Sequence, residues 1–198
     1  MTPDALLAFW FGPAADDAAL FQRNMGRWFG GGPVFDEEIR AQFSDLLEPG
    51  AVLAVAGWAK TPEGRLAAIL AFDQLGRNAF RGTPRAFALD PWARGLAREA
   101  VERRVDTKLS LAQRMFVYLP FEHSEDPEDQ ALSVQLFTAM RDSAPKGLHS
   151  ALDGLVDYAR RHAEIVERFG RFPHRNAILG RASTAEELAF LQTPGSSF

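Results

Sequence analysis

Three stretches of this chain concentrate side chains able to bind charge or move protons. The first, FDQLGRNAFRG at 72–82, places Asp73 on the apolar stripe of Leu66, Ile69 and Leu70. A carboxylate on the buried side of a helix is costly unless paired, and Arg77, four residues on, is the nearest partner. One reading is a structural Asp73–Arg77 pair closing the helix, with Gly76 and Asn78 ending it. The other is a cleft faced by Asp73, Gln74, Arg77 and Arg81.

The second stretch, YLPFEHSEDPEDQ at 118–130, sets His123 between Glu122 and Glu125 in a proline-broken connection. A histidine beside carboxylates is a candidate acid or base, since neighbouring negative charge raises its pKa. Ser124, Glu125 and Asp126 can equally supply the negative charge that a helix N-terminus favours. The third stretch, HAEIVERFGRFPHRNAILGR at 162–181, starts with His162 on the stripe of Leu155, Ala159 and Val166, so this histidine points inward. Beyond it Arg168, Arg171, His174, Arg175, Asn176 and Arg181 crowd a glycine- and proline-turned loop. Guanidinium groups in such a loop suit a phosphate or carboxylate. They would also suit neutralising Asp73, Asp90, Glu122 and Glu125 in a buried network.

The elements positioning these stretches are helical. Thr2–Pro3, Thr61–Pro62 and Asp126–Pro127 are helix starts, and Thr184 with Glu187 is a capping box. Apolar residues recur at three and four, as in Ile39, Phe43, Leu46 and Leu47, or Leu132, Leu136 and Met140. Alternation of the strand kind is nearly absent, and the apolar run AVLAVAGWA at 51–59 reads better as helix. The spacing predicts an all-α fold of about eight to ten helices joined by short loops, packed as helical hairpins in a bundle or short solenoid. No 34-residue tetratricopeptide pattern can be laid on the chain. An echo between Arg77-Asn78-Ala79-Phe80 and Arg175-Asn176-Ala177-Ile178 is too short to establish a repeat.

At 198 residues the chain fits a single domain, 1–198, with 1–35 (carrying GGGP at 30–33) a candidate looser arm and 193–198 a frayed tail. The composition is globular, with 46% hydrophobic residues and 16 Phe. A net charge of -4 argues against nucleic acid or an anionic membrane as a partner. No cysteine is present, which removes disulfides, thiolate metal sites and a cysteine nucleophile. The N-terminus has no signal-peptide pattern and no apolar run approaches membrane-spanning length, so a cytoplasmic protein is expected. No nucleotide-binding loop, HExxH, EF-hand or GxSxG elbow occurs. No cofactor is expected, and a metal would require His123, Glu125, His162, His174 and Asp73 to converge.

Together, after an N-terminal FWFG, the three stretches resemble the bacterial domain-of-unknown-function family 924. Asp73, Gln74, Arg77, Asn78, Phe80, Arg81 and Gly82 meet its DQxxRNxFRG element, Pro120 to Glu125 its PFEHSE, and Phe169 to Asn176 its FGRFPHRN. The likeness runs from Phe9 to Leu191; Gly76 departs from the proline common there. The resemblance implies a tetratricopeptide-like α-α superhelix and brings no activity with it. Three functional readings follow. The leading one is a polar pocket in which Arg77, Asn78, Arg81, Arg171, His174, Arg175 and Asn176 bind a small anionic or peptide-like ligand. The second is an enzyme, in the broadest class a hydrolase, using His123 with Glu125, or His162, with Asp73. The third is an interaction scaffold presenting an apolar groove near Trp10, Trp28 or Phe29.

Overall fold

The computed structural model describes residues 1–13 and 16–197, and within them every regular element is helical. Side-chain caps account for most of the helix starts. Thr2 opens α1 (Pro3–Phe11), accepting from the Ala5 amide, and Asp16 opens α2 (Asp17–Gly30) by accepting from Ala19. Next come α3 (Gly32–Phe43) and the short α4 (Val52–Ala56), which lies in the apolar run expected to be helical. Thr61 caps α5 (Pro62–Ile69), which continues through a π-helical segment, Leu70–Leu75, into α6 (Gly76–Ala79).

The second half holds α7 (Asp90–Glu102), α8 (Leu111–Glu122), α9 (Pro127–Ser143), α10 (His149–Phe169) and α11 (Ala185–Phe190). Reciprocal capping boxes open α8, through Ser110 and Gln113, and α11, through Thr184 and Glu187. Helix α10 ends where Gly170 turns left-handed, at φ 67°. Helices α8 and α9, and then α9 and α10, pack on each other across short connections as hairpins.

The rod of α5, the π segment and α6 is the centre of the molecule. It packs against α1, α7 and α8, with α3 on its far end, and every residue from 64 to 76 is buried. Burial of Leu66, Ile69, Leu70, Phe72 and Leu75 contributes roughly 1.5–3 kcal/mol per side chain. The amphipathic stripe expected here is therefore an all-round apolar surface, and Asp73 and Gln74 are carried into the interior with it. Of the described residues among the first 35, Leu6, Trp10, Phe11, Leu20, Phe21 and Trp28 all join the main core. Trp10 and Trp28 are thus unavailable to an exposed docking groove, while Phe29 is half exposed. In the tail, Ser196 is buried with its hydroxyl on the Leu191 carbonyl, and position 198 lies outside the described residues.

Close packing at the start of the rod fixes one glycine. A Cβ on Gly64 would collide with the Trp58 carbonyl, whereas one on Gly154, on the exposed side of α10, meets nothing within 4 Å. Gly64→Ala should cost about 1–3 kcal/mol, and Gly154→Ala should stabilise by about 0.5–1 kcal/mol. Urea unfolding of the two variants beside wild type checks both signs.

Candidate ligand-binding site

The buried Asp73 carboxylate organises the site. Its Oδ2 accepts from Gln74 Nε2 at 2.6 Å, and its Oδ1 lies 3.3 Å from Arg77 Nη2 and 2.7 Å from His123 Nδ1. Burial would raise this carboxyl, but the adjacent His123 and Arg77 outweigh burial and hold it below the usual carboxylate range. The tautomer of His123 follows. An ionised oxygen 2.7 Å from a nitrogen lone pair would be repulsive, so Nδ1 carries the proton and donates to Asp73. The longer approach of Arg77 Nε to the same nitrogen, 3.3 Å, cannot then be a hydrogen bond. Nε2 is left as the ring's acceptor.

His123 sits at the C-cap of α8, on a turn clamped from two sides. Gln130 Nε2 donates to the carbonyls of Glu122 (2.7 Å) and Ser124 (2.5 Å), and Arg175 Nη1 donates to the carbonyl of His123 (2.9 Å). Burial, then the charge of Arg77, pushes the imidazole pKa down to about 4, so the ring is neutral at pH 7.

Around this core lies a cavity of about 550 Å³. Asp36, Gln74, Arg77, Asn78, Arg81, His123, His174 and Arg175 supply its polar lining, and Trp28, Phe29, Phe87 and Ile178 supply apolar surface. The α2–α3 connection, Gly30 to Gly32, closes another side. Glycine is required twice there, since Gly32 has φ +65° and a Cβ on Gly31 would stand 2.6 Å from the Arg27 carbonyl oxygen.

The guanidinium groups on the wall differ in their partners. Arg77 is shared between Asp73 and Asp90, the latter at 2.9 Å. Arg81 grips Asp36 of α3 through Nε (2.7 Å) and Nη2 (2.9 Å) and reaches Asn78 Oδ1. Arg175, only 7% exposed, has no carboxylate oxygen within 4 Å among the described residues, and its buried Nε has no hydrogen-bond partner. Its guanidinium lies over Phe172 (4.4 Å) and Phe87 (4.9 Å), while Asp90, Glu125 and Asp73 act on it only at longer range. Burial, and then the charge of Arg77, lowers its pKa to about 10, still leaving it a cation.

Of the residues nominated from sequence, Arg77, Asn78, Arg81, His123, His174 and Arg175 converge on the cavity, with Asp73 directly behind His123. Four others do not line it. Arg171 forks onto Glu187 at 2.6 and 2.8 Å and bonds the Ala182 carbonyl, so it anchors the start of α11. Asn176 is fully buried, donating to Ser183 and accepting from Arg181. Glu125 takes two bonds from Arg181 and one from the Phe172 amide, which makes it a clamp on the 171–181 loop rather than the partner of His123. His162 bonds the Tyr158 carbonyl inside the fold, with Glu122 at 3.6 Å and the His123 ring centroid at 6.5 Å. Three of the four acids expected in an arginine network have one: Arg77 serves Asp73 and Asp90, and Arg181 serves Glu125, whereas among the described residues no arginine pairs with Glu122. No cluster of metal-ligating residues forms among the described residues. Sequence reasoning missed Asp36, and it missed the wall made by Trp28, Phe87 and the glycine connection.

Fold and site together define an all-α protein with an arginine- and histidine-walled cavity beside a buried Asp–His pair. Residues 6–195 match the family model for a bacterial protein of unknown function, DUF924, and the chain belongs to that family. It is also similar to the solved structure of ATU0120 from Agrobacterium tumefaciens, a protein of unknown function. The two are 37% identical, over 89% of this chain and 99% of that one, with a TM-score of 0.71. No curated protein matches the chain. Among the described residues no helix is long and apolar enough to cross a membrane.

Two contrasts test the electrostatics. Arg77→Met strands Asp73 in the core and should cost about 3–5 kcal/mol, whereas Arg175→Met removes a cation with no carboxylate beside it and should stay within about 1 kcal/mol of wild type. Urea unfolding at pH 7 measures both. The second contrast concerns Glu122, whose pKa burial, and then the charge of Asp73, raises to about 8. A carboxyl raised in the fold stabilises below its unfolded pKa and loses that contribution as pH climbs to the folded value. His123 and His162, lowered to about 4 and 3, act oppositely, but only up to about pH 6.5. Stability should therefore fall between pH 6.5 and 8, and Glu122→Gln should flatten that limb in unfolding curves taken across it.

Proposed function

We propose that this protein binds a small organic anion in the cavity beside Arg175. The observation that carries this reading is the buried guanidinium of Arg175, which has no carboxylate beside it and an unsatisfied Nε, on a side chain that lines the cavity. A buried charge is costly without compensation, and the cavity is the side from which a ligand's carboxylate or phosphate can supply it. Arg77 and Arg81 add positive potential there, although each already holds a protein carboxylate. The apolar part of the lining sets the rest of the ligand's chemistry: Trp28, Phe29, Phe87 and Ile178 suit an apolar or aromatic body. Arg171 and Asn176 have no part in this binding, because their side chains are committed elsewhere.

The tetratricopeptide-like superhelix suggested by the family resemblance fits the hairpins of α8 to α10, and a site between packed helical hairpins is common to such architectures.

Benzoate is a direct probe, with inorganic phosphate as an anion lacking an apolar body and benzamide as the neutral counterpart. Benzoate should raise the melting temperature of the wild-type protein, by the equivalent of about 2.7 kcal/mol at one hundred times its dissociation constant. Phosphate should do so more weakly and benzamide not at all, and Arg175→Gln should abolish the benzoate effect. No shift with benzoate, or an equal shift in Arg175→Gln, rejects the reading.

A further inference from the structure

The cavity's polar wall contains more than binding requires. His123 is neutral, its Nδ1–H is held at 2.7 Å by a buried carboxylate, and its backbone is clamped by Gln130 and Arg175. That constraint leaves Nε2 as an oriented acceptor on a cavity-lining ring. The arrangement is that of a histidine base with an acid fixing its tautomer and direction. Among the described residues no serine, threonine, tyrosine, lysine or cysteine lines the cavity, so its described lining offers His123 no side-chain nucleophile to activate. A base in such a place acts on water.

Building on the anion-binding reading, we infer that this cavity is a catalytic site in which the Asp73–His123 pair hydrolyses esters of small anionic molecules anchored on Arg175. His123 Nε2 takes a proton from a water molecule as the water oxygen bonds to the acyl carbon. The tetrahedral intermediate collapses, the acyl–oxygen bond breaks, and the imidazolium returns its proton to the departing oxygen. Ester and water become acid and alcohol, and the base is restored. Asp73 is the positioning residue, holding the reactive tautomer and stabilising the transient imidazolium.

The substrate's charge assists the step. The positive charges of Arg77 and Arg175 are among the influences that depress the basicity of His123. An anion seated on Arg175 offsets part of that field, so the base strengthens when the substrate arrives. Lining cavity and base with the same guanidinium also ties binding to orientation, because Arg175 donates to the carbonyl of His123 itself.

The test uses 4-acetoxybenzoate, whose carboxylate lies at the opposite end of the ring from its ester, with phenyl acetate as the neutral control and release of the phenol as the readout. Wild-type protein should hydrolyse 4-acetoxybenzoate faster than phenyl acetate, and His123→Gln should lower that rate by about 10²–10⁴-fold. His123→Gln should still show the benzoate-induced rise in melting temperature. Nitrogen-15 NMR should report the Nδ1–H tautomer at His123 in the wild type and its loss in Asp73→Asn, with the far-ultraviolet circular dichroism of that variant unchanged. Benzoate binding without hydrolysis, or equal hydrolysis by wild type and His123→Gln, overturns the catalytic inference while leaving the binding site standing. Absence of both binding and hydrolysis removes the two together.

Discussion

One constraint shapes this molecule: a carboxylate is carried on a helix that is buried on every side. The rod from Pro62 to Ala79 runs through the middle of the fold, and Asp73 is 1% exposed on it. An ionised group in that position has to be matched by opposite charge and hydrogen bonds or it would not stay ionised. Arg77, Gln74 and His123 provide the match. Each is in turn fixed by a further partner, Arg77 by Asp90 and His123 by the clamped turn after α8. The polar wall of the cavity is thus the outer layer of a network whose centre is structural.

The same logic makes Arg175 conspicuous. Arg65 with Glu99, Arg81 with Asp36, Arg98 with Asp129, Arg171 with Glu187 and Arg181 with Glu125 show how readily this chain pairs its guanidinium groups. A chain that pairs so many places one buried cation between two phenyl rings without a carboxylate in contact. Aromatic faces offset part of a cation's charge but leave its N–H groups wanting acceptors. The cost of that unpaired cation is met by the apolar packing around the central rod, and under the binding proposal a ligand's anion would offset it.

Much of the fold could be read from the residues alone. The Thr-Pro and Asp-Pro starts and the Thr184–Glu187 box are the helix caps observed, because capping is a local interaction that neighbouring residues decide. The Ser110–Gln113 box is an interaction of the same local kind. The π segment was not legible: its widened turn lies within 70–75, and an extra residue in a helix rotates all that follows by about 100°. Facing directions beyond Asp73 therefore could not be taken from a 3.6-residue period. At the site, residue types and the convergence of Arg77, Asn78 and Arg175 were readable in outline, yet the partners were not. Glu125 stands two residues from His123 in the chain and is taken by Arg181, fifty-six residues on, while the acid that reaches the imidazole comes from fifty residues before it. Such choices are made by tertiary packing.

A crystal structure of the protein grown with benzoate addresses the central claim most directly. The expected complex has the carboxylate of the ligand within hydrogen-bonding distance of the Arg175 guanidinium, its ring against Phe87 or Trp28, and Asp73 still on His123. Arg175 found instead on a carboxylate of the protein itself, with the cavity collapsed or empty, would contradict it.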